Sequence, residues 1–251
     1  MNKISSAPLI TIVTPVYNGA DYLEETMLSV INQTYKKIQY ILVDGNSTDG
    51  SINIIKKFSS KIDCFIIEKD KGMYDAISKG FSLGKGKYFA WINSDDLYFN
   101  NAIEKAISVM EKNKFEMIVG APTILNLNKK IIYRHCYHYP NWIVANSLAT
   151  PCFWGFLPQE STIFTKELYD RCGGFNKNLK YAGDFDLWRK FAKKTKLNSV
   201  NLRIGIFRKR KGQLSENYHE YYREINKIKC FLPIGKLFRL IYSIIKNILT
   251  K

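Results

Sequence analysis

Residues Tyr88–Tyr98, YFAWINSDDLY, set the frame of the chain: a short apolar run from Tyr88 to Ile92 stops abruptly at Asn93, Ser94, Asp95 and Asp96. Such a run reads as a buried strand that delivers two carboxylates to its C-terminal end. Adjacent carboxylates repel, and a divalent cation, or a ligand carried by one, offsets that repulsion. Oxygen-only ligands suit Mg²⁺ or Mn²⁺, both of which bridge a protein carboxylate to substrate phosphates. The same pair also suits a solvated turn or a helix cap, since Asp favours both.

Upstream, Leu9 to Thr14 (LITIVT) is a β-rich run ending at Pro15, and Ala20 to Gln33 follows with apolar residues at helical spacing. The unit repeats. Tyr40 to Val43 leads into DGNSTDG (Asp44 to Gly50) and a helix over Ser51 to Phe58, and Cys64 to Ile67 precedes a helix over Met73 to Leu83. This alternation predicts an α/β fold with a mostly parallel central sheet between two helical layers, in which ligands bind beyond the carboxyl ends of the strands. Pro15 to Asn18, Asp44 to Gly50, Asp70 to Gly72 and Asn93 to Asp96 then share one rim. No GxGxxG or GxxxxGK[ST] occurs, which argues against dinucleotide redox chemistry and P-loop phosphoryl transfer.

Downstream, the pattern predicts a helix over Asn101 to Lys112, a strand over Met117 to Gly120 and a hairpin about Asn126 to Lys129 within Thr123 to Tyr133. His135 to Trp154 is aromatic-rich and reads as a long, mobile loop on the acceptor side. Thr162 to Phe164 reads as a strand, and Tyr181 to Lys194 as a helix led in by Asp184, a residue that by itself suits a cap.

The chain of 251 residues can bury one substantial core, and its formal net charge of +16 points to an anionic partner. Its 5 cysteines are odd in number and lack a CxxC pair, which suggests a reducing compartment and neither a disulfide framework nor a zinc site. His135, His138 and His219 have no ligand spacing. Without an apolar signal-type stretch or a long apolar span, the chain is expected in the cytoplasm, soluble or peripheral.

Five segments occur together in order: TPVYNG, DGNSTDG, DKGMYDAISKG, NSDD, and PQESTIF followed by GDFDLW. Over roughly residues 8 to 215 the chain thereby resembles the family 2 glycosyltransferases of the GT-A fold, inverting enzymes that use a nucleotide-activated sugar. The resemblance implies a GT-A domain over 1–215, with a nucleotide-binding half at about 8–97 and an acceptor half at about 98–215, and a basic helical tail over 216–251. It implies Mg²⁺ or Mn²⁺ as cofactor and a nucleotide-diphosphate sugar as donor, for which UDP is the favoured nucleotide and GDP and dTDP stay open. Pro15 and Tyr17 would line the base pocket, Thr14 would belong to the nucleotide-sugar site, Asp44 would accept from the base N–H, and Asp70, Lys71 and Gly72 would lie beside the nucleotide. Asn93, Ser94 and Asp95 would meet the donor, Asp95 would contact ribose and metal, and Asp96 would hold the cation bridging the diphosphate. Asp184 would be the general base for the acceptor hydroxyl. The sequence departs from the family in two places. RKRKGQLS has Arg208 to Lys211 where many members carry a His, so Arg210 or Lys211 would meet the diphosphate, and Gly183 replaces an acidic residue before the base.

More than half of the net charge lies from Arg203 onward, and Lys236 to Leu249 places Leu237, Leu240, Ile241, Ile244, Ile245 and Ile248 on one helical face. Such a helix suits an anionic membrane surface, here the inner face of the cell membrane, where a glycan or polyprenyl-diphosphate-linked acceptor of surface polysaccharide or O-antigen synthesis would be presented. Packing on the protein's own core or on a second copy in a homo-oligomer is the competing use. Two other classes fit parts of the sequence. A nucleotidyltransferase would show a Gly-rich basic loop near the N-terminus, which PVYNGADY is not. A nucleic-acid binder follows from charge alone, and the acidic rim argues against nucleic acid as the partner.

Overall fold

The Ile10–Val16 run forms β1, every residue of which is buried, and the rest of the sheet is laid down on either side of it. The computed structural model describes residues 7–136, 138–150 and 155–228. Strand and helix alternate through α1 (Ala20–Ile31), β2 (Ile38–Asp44), α2 (Ser51–Lys57), β3 (Cys64–Ile67), α3 (Met73–Ser82) and β4 (Tyr88–Trp91). Then come β5 (Leu97–Tyr98), α4 (Ala102–Asn113), β6 (Met117–Val119), β7 (Thr123–Leu125), β8 (Ile131–Tyr133) and α5 (Asn141–Ala145). The described chain closes with β9 (Thr162–Thr165), α6 (Lys166–Arg171), α7 (Gly183–Ala192), β10 (Asn198–Ser199), β11 (Gly205–Arg208) and α8 (Tyr218–Lys227).

The main sheet runs β10-β6-β9-β4-β1-β2-β3. Its strands pair in parallel except at β9, which is antiparallel to both β4 and β6. Period-two alternation sends Ile10, Ile12, Tyr40 and Leu42 to one face and Val13, Ile41 and Val43 to the other. The first face packs on α1, α2 and α4, and the second on α3, α5, α6 and α7, which gives the expected three layers. A small sheet, β5-β11-β7-β8, flanks the end of β4, and the hairpin expected around Asn126 is its β7-β8 pair.

Two expectations need correction. His135 to Trp154 is not simply a loop: α5 lies in it, Ile143, Val144, Leu148 and Ala149 are buried, and Asn141 Nδ2 donates to the Ala192 carbonyl at 3.0 Å. Turn-prone Pro140 and Asn141 hid a helix start whose partner is α7. The basic tail also begins on the core, since Ile225 and Ile228 pack with Ala182 and Phe185. The expected amphipathic helix over Lys236 to Leu249 lies outside the described residues. Among the described residues no helix is long and apolar enough to cross a membrane.

Candidate active site

Side chains that favour turns stitch the loops after β1 and β2 together. Asn18 sits at φ +48°, its N–H donates to Ser47 Oγ at 2.9 Å, and its Oδ1 accepts from the Thr48 N–H at 2.9 Å. The Gly19 N–H reaches Ser51 Oγ at 3.0 Å and the Ala20 N–H reaches Asp49 Oδ2 at 2.8 Å. Asp44 ends β2 fully buried, accepting from Ser47 N–H at 2.7 Å and from Ser47 Oγ at 2.8 Å. Thr14, expected in the nucleotide-sugar site, and Pro15, expected to line the base pocket, are enclosed in β1, with the Thr14 hydroxyl spent on Tyr40 at 3.0 Å. The open surface belongs to Tyr17, which is 70% exposed, while Gly45 beside it is buried. A Cβ on Gly45 would stand 2.7 Å from Asp70 Oδ2 and 3.2 Å from the Tyr17 ring, so this backbone is packed between an aromatic ring and a carboxylate with no room for a side chain.

Asp70 is half-buried, and its Oδ1 accepts from the Gly72 N–H at 2.8 Å. Burial raises its pKa, against the Gly72 bond and the Lys79 charge. Gly72 adopts φ +121°, a conformation that favours glycine, and starts α3; the Lys71 side chain is exposed.

At the end of β4 the two adjacent carboxylates part company. Asp96 points inward with no exposed surface, its Oδ1 taking the Arg208 N–H at 2.9 Å and its Oδ2 the Asn93 amide at 3.3 Å. Burial, then the charges of Asp95 and Glu160, hold its pKa well above the ordinary value. Asp95 is the outer member, and its Oδ2 accepts from Arg210 Nε at 2.6 Å and Gln213 Nε2 at 3.3 Å. Arg208 and Arg210 both lie over the Tyr22 ring, at 4.9 and 5.6 Å. The basic segment therefore meets the acidic turn, with Arg210 rather than Lys211 in contact. Ser94 touches the first loop, since a Cβ on Gly19 would fall 2.8 Å from its Oγ.

As a cation site this turn offers oxygen alone. Among the described residues Asp95 Oδ1 takes no hydrogen bond, the buried Asn93 Oδ1 has no partner, and no group of 3 or more His, Cys, Asp or Glu gathers. One carboxylate oxygen without a hydrogen bond, on a residue that is 8% exposed, is a donor that Mg²⁺ or Mn²⁺ accepts where other oxygens and water complete the shell. Asp96, expected to hold the cation, is instead committed to holding β11.

Asp184 is the second residue of α7 and not its cap, a place held by Ala182. Its Oδ1 accepts from the Tyr74 hydroxyl at 3.0 Å and from the Phe185 N–H at 2.8 Å. Val144, Ala149, Leu157, Trp188 and Tyr221 share its cavity. Burial pushes its pKa up to about 6, with Glu224 adding and the Phe185 and Tyr74 bonds opposing. Trp188 of α7 stacks on Trp91, the last residue of β4, at 5.4 Å and 18°, which fixes α7 beside the acidic turn. Gly183 also finds its reason here. A Cβ there would lie 2.5 Å from the Tyr74 ring, so no side chain fits before Asp184 while Tyr74 keeps its place.

Sequence reading passed over Gly45, Tyr74, Gln213, Tyr221 and Glu224. Gly45, Tyr74 and Gln213 lie within the quoted DGNSTDG, DKGMYDAISKG and RKRKGQLS segments, whereas Tyr221 and Glu224 carry no motif and are recruited by folding.

A mostly parallel sheet with acidic loops along its carboxyl edge and a small second sheet beside them defines the GT-A class of fold. Staphylococcus aureus TarS in complex with UDP-GlcNAc superposes with a TM-score of 0.71 at 16% identity, covering 89% of this chain and 68% of that one. The mannosyltransferase PcManGT of Pyrobaculum calidifontis, in complex with GDP-Man and Mn²⁺, gives 0.66 at 18% identity over 95% and 69%. The model of glycosyl transferase family 2 matches residues 11–171, and the chain belongs to that family. An uncharacterized glycosyltransferase of Rickettsia typhi is 32% identical over 195 residues, 76% of this chain and 61% of the relative, so the chain spans about three-fifths of that relative's length. TuaG of Bacillus subtilis, provisionally named for teichuronic acid biosynthesis, is 34% identical over 106 residues, 41% of this chain and 42% of that one.

Proposed function

We propose that this chain is an inverting glycosyltransferase that moves a sugar from a UDP-linked donor to a hydroxyl of a glycan or lipid-linked acceptor in bacterial surface polysaccharide synthesis. The observation that carries the reading is the 3.0 Å hydrogen bond from Tyr74 to Asp184, because it ties a buried carboxylate to the helix that begins at the donor-side loop Asp70–Gly72. The nucleobase stacks on Tyr17, where Asp70 presents an acceptor to its N–H edge and Lys71 adds positive charge, while the buried Asp44, both oxygens on Ser47, holds the loop in shape. The diphosphate lies along Asn93 to Asp95, where the Arg210 guanidinium can turn from Asp95 to a phosphate oxygen. Asp95 would hold Mg²⁺ or Mn²⁺ together with the donor, and the bound ion would offset charge on the departing diphosphate. Asp184 takes the acceptor hydroxyl proton as the oxygen attacks the anomeric carbon, and the bond to the diphosphate breaks with its electron pair leaving on that group. A base whose pKa is about 6 is ionised at neutral pH and still basic enough to share the proton.

The UDP-GlcNAc bound to TarS and the name of TuaG support the donor and pathway class. The membrane part of the proposal rests on the basic, amphipathic sequence of 236–249, and cosedimentation with anionic liposomes with and without residues 232–251 tests it; equal binding by the two forms ends it. The donor is tested by thermal unfolding in the presence of UDP-GlcNAc and GDP-mannose, each with and without Mn²⁺. A UDP-linked donor raises the midpoint by mass action, and stabilisation by GDP-mannose alone overturns the UDP assignment. Asp184→Asn should retain donor binding and lose about 100-fold or more of turnover; near-normal turnover removes the aspartate as base.

A further inference from the structure

The carboxylate of Glu224 accepts hydrogen bonds from three consecutive backbone amides, the N–H groups of Lys180, Tyr181 and Ala182, each at 2.8 Å. These residues lead directly into α7, whose cap residue Ala182 offers no side-chain acceptor. A helix N-terminus carries unsatisfied donors and partial positive charge, so a carboxylate brought to it from elsewhere in the chain supplies what the local sequence lacks. The same helix, α8, places Tyr221 in the cavity of Asp184, with its ring 5.1 Å from that of Phe156 and 6.5 Å from that of Phe185. It lies beyond the residues that the family model matches.

We propose that Glu224 is a positioning residue for the catalytic base: it pins the lip of α7 and thereby fixes Asp184 against the acceptor hydroxyl. The proposal rests on the reading of Asp184 as the base. Holding the lip with an anion has a second consequence. The negative charge of Glu224 adds to burial in raising the proton affinity of Asp184. The ionisable groups around Asp184 are Tyr74 from α3 and Tyr221 and Glu224 from α8, while α5 and the 156–157 segment contribute only apolar side chains.

The test uses the full chain without substrate, labelled with 13Cγ-aspartate, in wild type, Glu224→Gln and Glu224→Ala, with Asp184→Asn to assign the resonance. Amide exchange at 180–182 is measured on the same proteins. In both variants Asp184 should titrate below its wild-type midpoint, and the three amides should exchange at least about tenfold faster, as expected when a charge-assisted bond is lost. Glu224→Asp should recover part of both effects. Unchanged titration and unchanged exchange in the two variants overturn the proposal. Should Glu224→Ala unfold, Glu224→Gln, which keeps the side-chain shape, carries the decision. Turnover separates the two readings. If Asp184→Asn abolishes transfer while Glu224→Gln and Glu224→Ala transfer at the wild-type rate, the positioning role fails and the base stands. If Asp184→Asn transfers normally, the base fails and the role of Glu224 in transfer fails with it.

Discussion

Asp95 and Asp96 are chemically identical neighbours, yet folding gives them opposite work. Asp96 is enclosed and spends both oxygens on Arg208 and Asn93, so its carboxylate ties the acidic turn to the small sheet. Asp95 keeps one oxygen open and holds a guanidinium on the other. Arg210 and a divalent ion must therefore compete for the same carboxylate, and this competition can be measured. In Arg210→Ala the Mn²⁺ concentration that half-saturates UDP binding should fall, because Asp95 is released. UDP affinity in EDTA should weaken about tenfold, the cost of one charge-assisted contact to phosphate. Calorimetry with both solutions reads both effects, and parallel loss in both would remove the competition. Asp184 makes the second prediction of this scale. Because only its ionised form accepts a proton, kcat/KM should rise with pH through a midpoint near 6 and level off above it. A profile flat from pH 5 to 8 would exclude Asp184 as the group that titrates.

Elements place these residues through close approaches that only glycine allows. Gly80 of α3 would carry its Cβ 2.6 Å from Val13 in the centre of β1, so Gly80→Ala must push the helix off the sheet, at a cost of about 1–3 kcal/mol in urea unfolding. An unchanged midpoint would mean that α3 floats more freely than its packing implies. Gly183→Ala acts at the other end of α3, where Tyr74 packs on it. It should displace the Tyr74 ring and reduce turnover without changing UDP affinity, which calorimetry and an assay on one preparation can separate.

The alternation of strand and helix through Trp91 was legible because apolar periodicity is a local signal, and so were the rim loops at Tyr17, Asp44, Asp70 and Asp95. Asp184 stood out in the sequence only through resemblance to a family, since by itself it suits a helix cap. Thr14, Pro15 and Asp96 could not be sorted from their neighbours, since whether a side chain faces a crevice or a strand partner depends on register and twist. α5 was hidden by its 5-residue length, and Glu224 by its separation from Ala182 of 42 positions.

Among the described residues, four acids are held with raised pKa values: Asp70, Asp96, Asp184 and Glu160, the last pushed by burial from the ordinary 4.5 to about 7. An acid whose folded pKa exceeds its unfolded one binds more protons when folded, so stability falls as pH climbs through that interval. For Glu160 the interval runs from 4.5 to about 7, and the accumulated cost above it is about 3 kcal/mol. The excess of +16 in basic charge works against this trend, since lowering the pH adds positive charge and self-repulsion. The raw stability of the wild type therefore mixes two opposed effects, and the difference between wild type and Glu160→Gln isolates one. At pH 5, where the wild-type side chain is largely protonated, the two should unfold at nearly the same urea concentration. At pH 8 Glu160→Gln should be the more stable by up to about 3 kcal/mol, because it never has to carry the buried charge. Equal stability at both pH values would show that Glu160 is ionised at little cost, and a variant less stable at pH 8 would show that the charge itself holds β11 against β4.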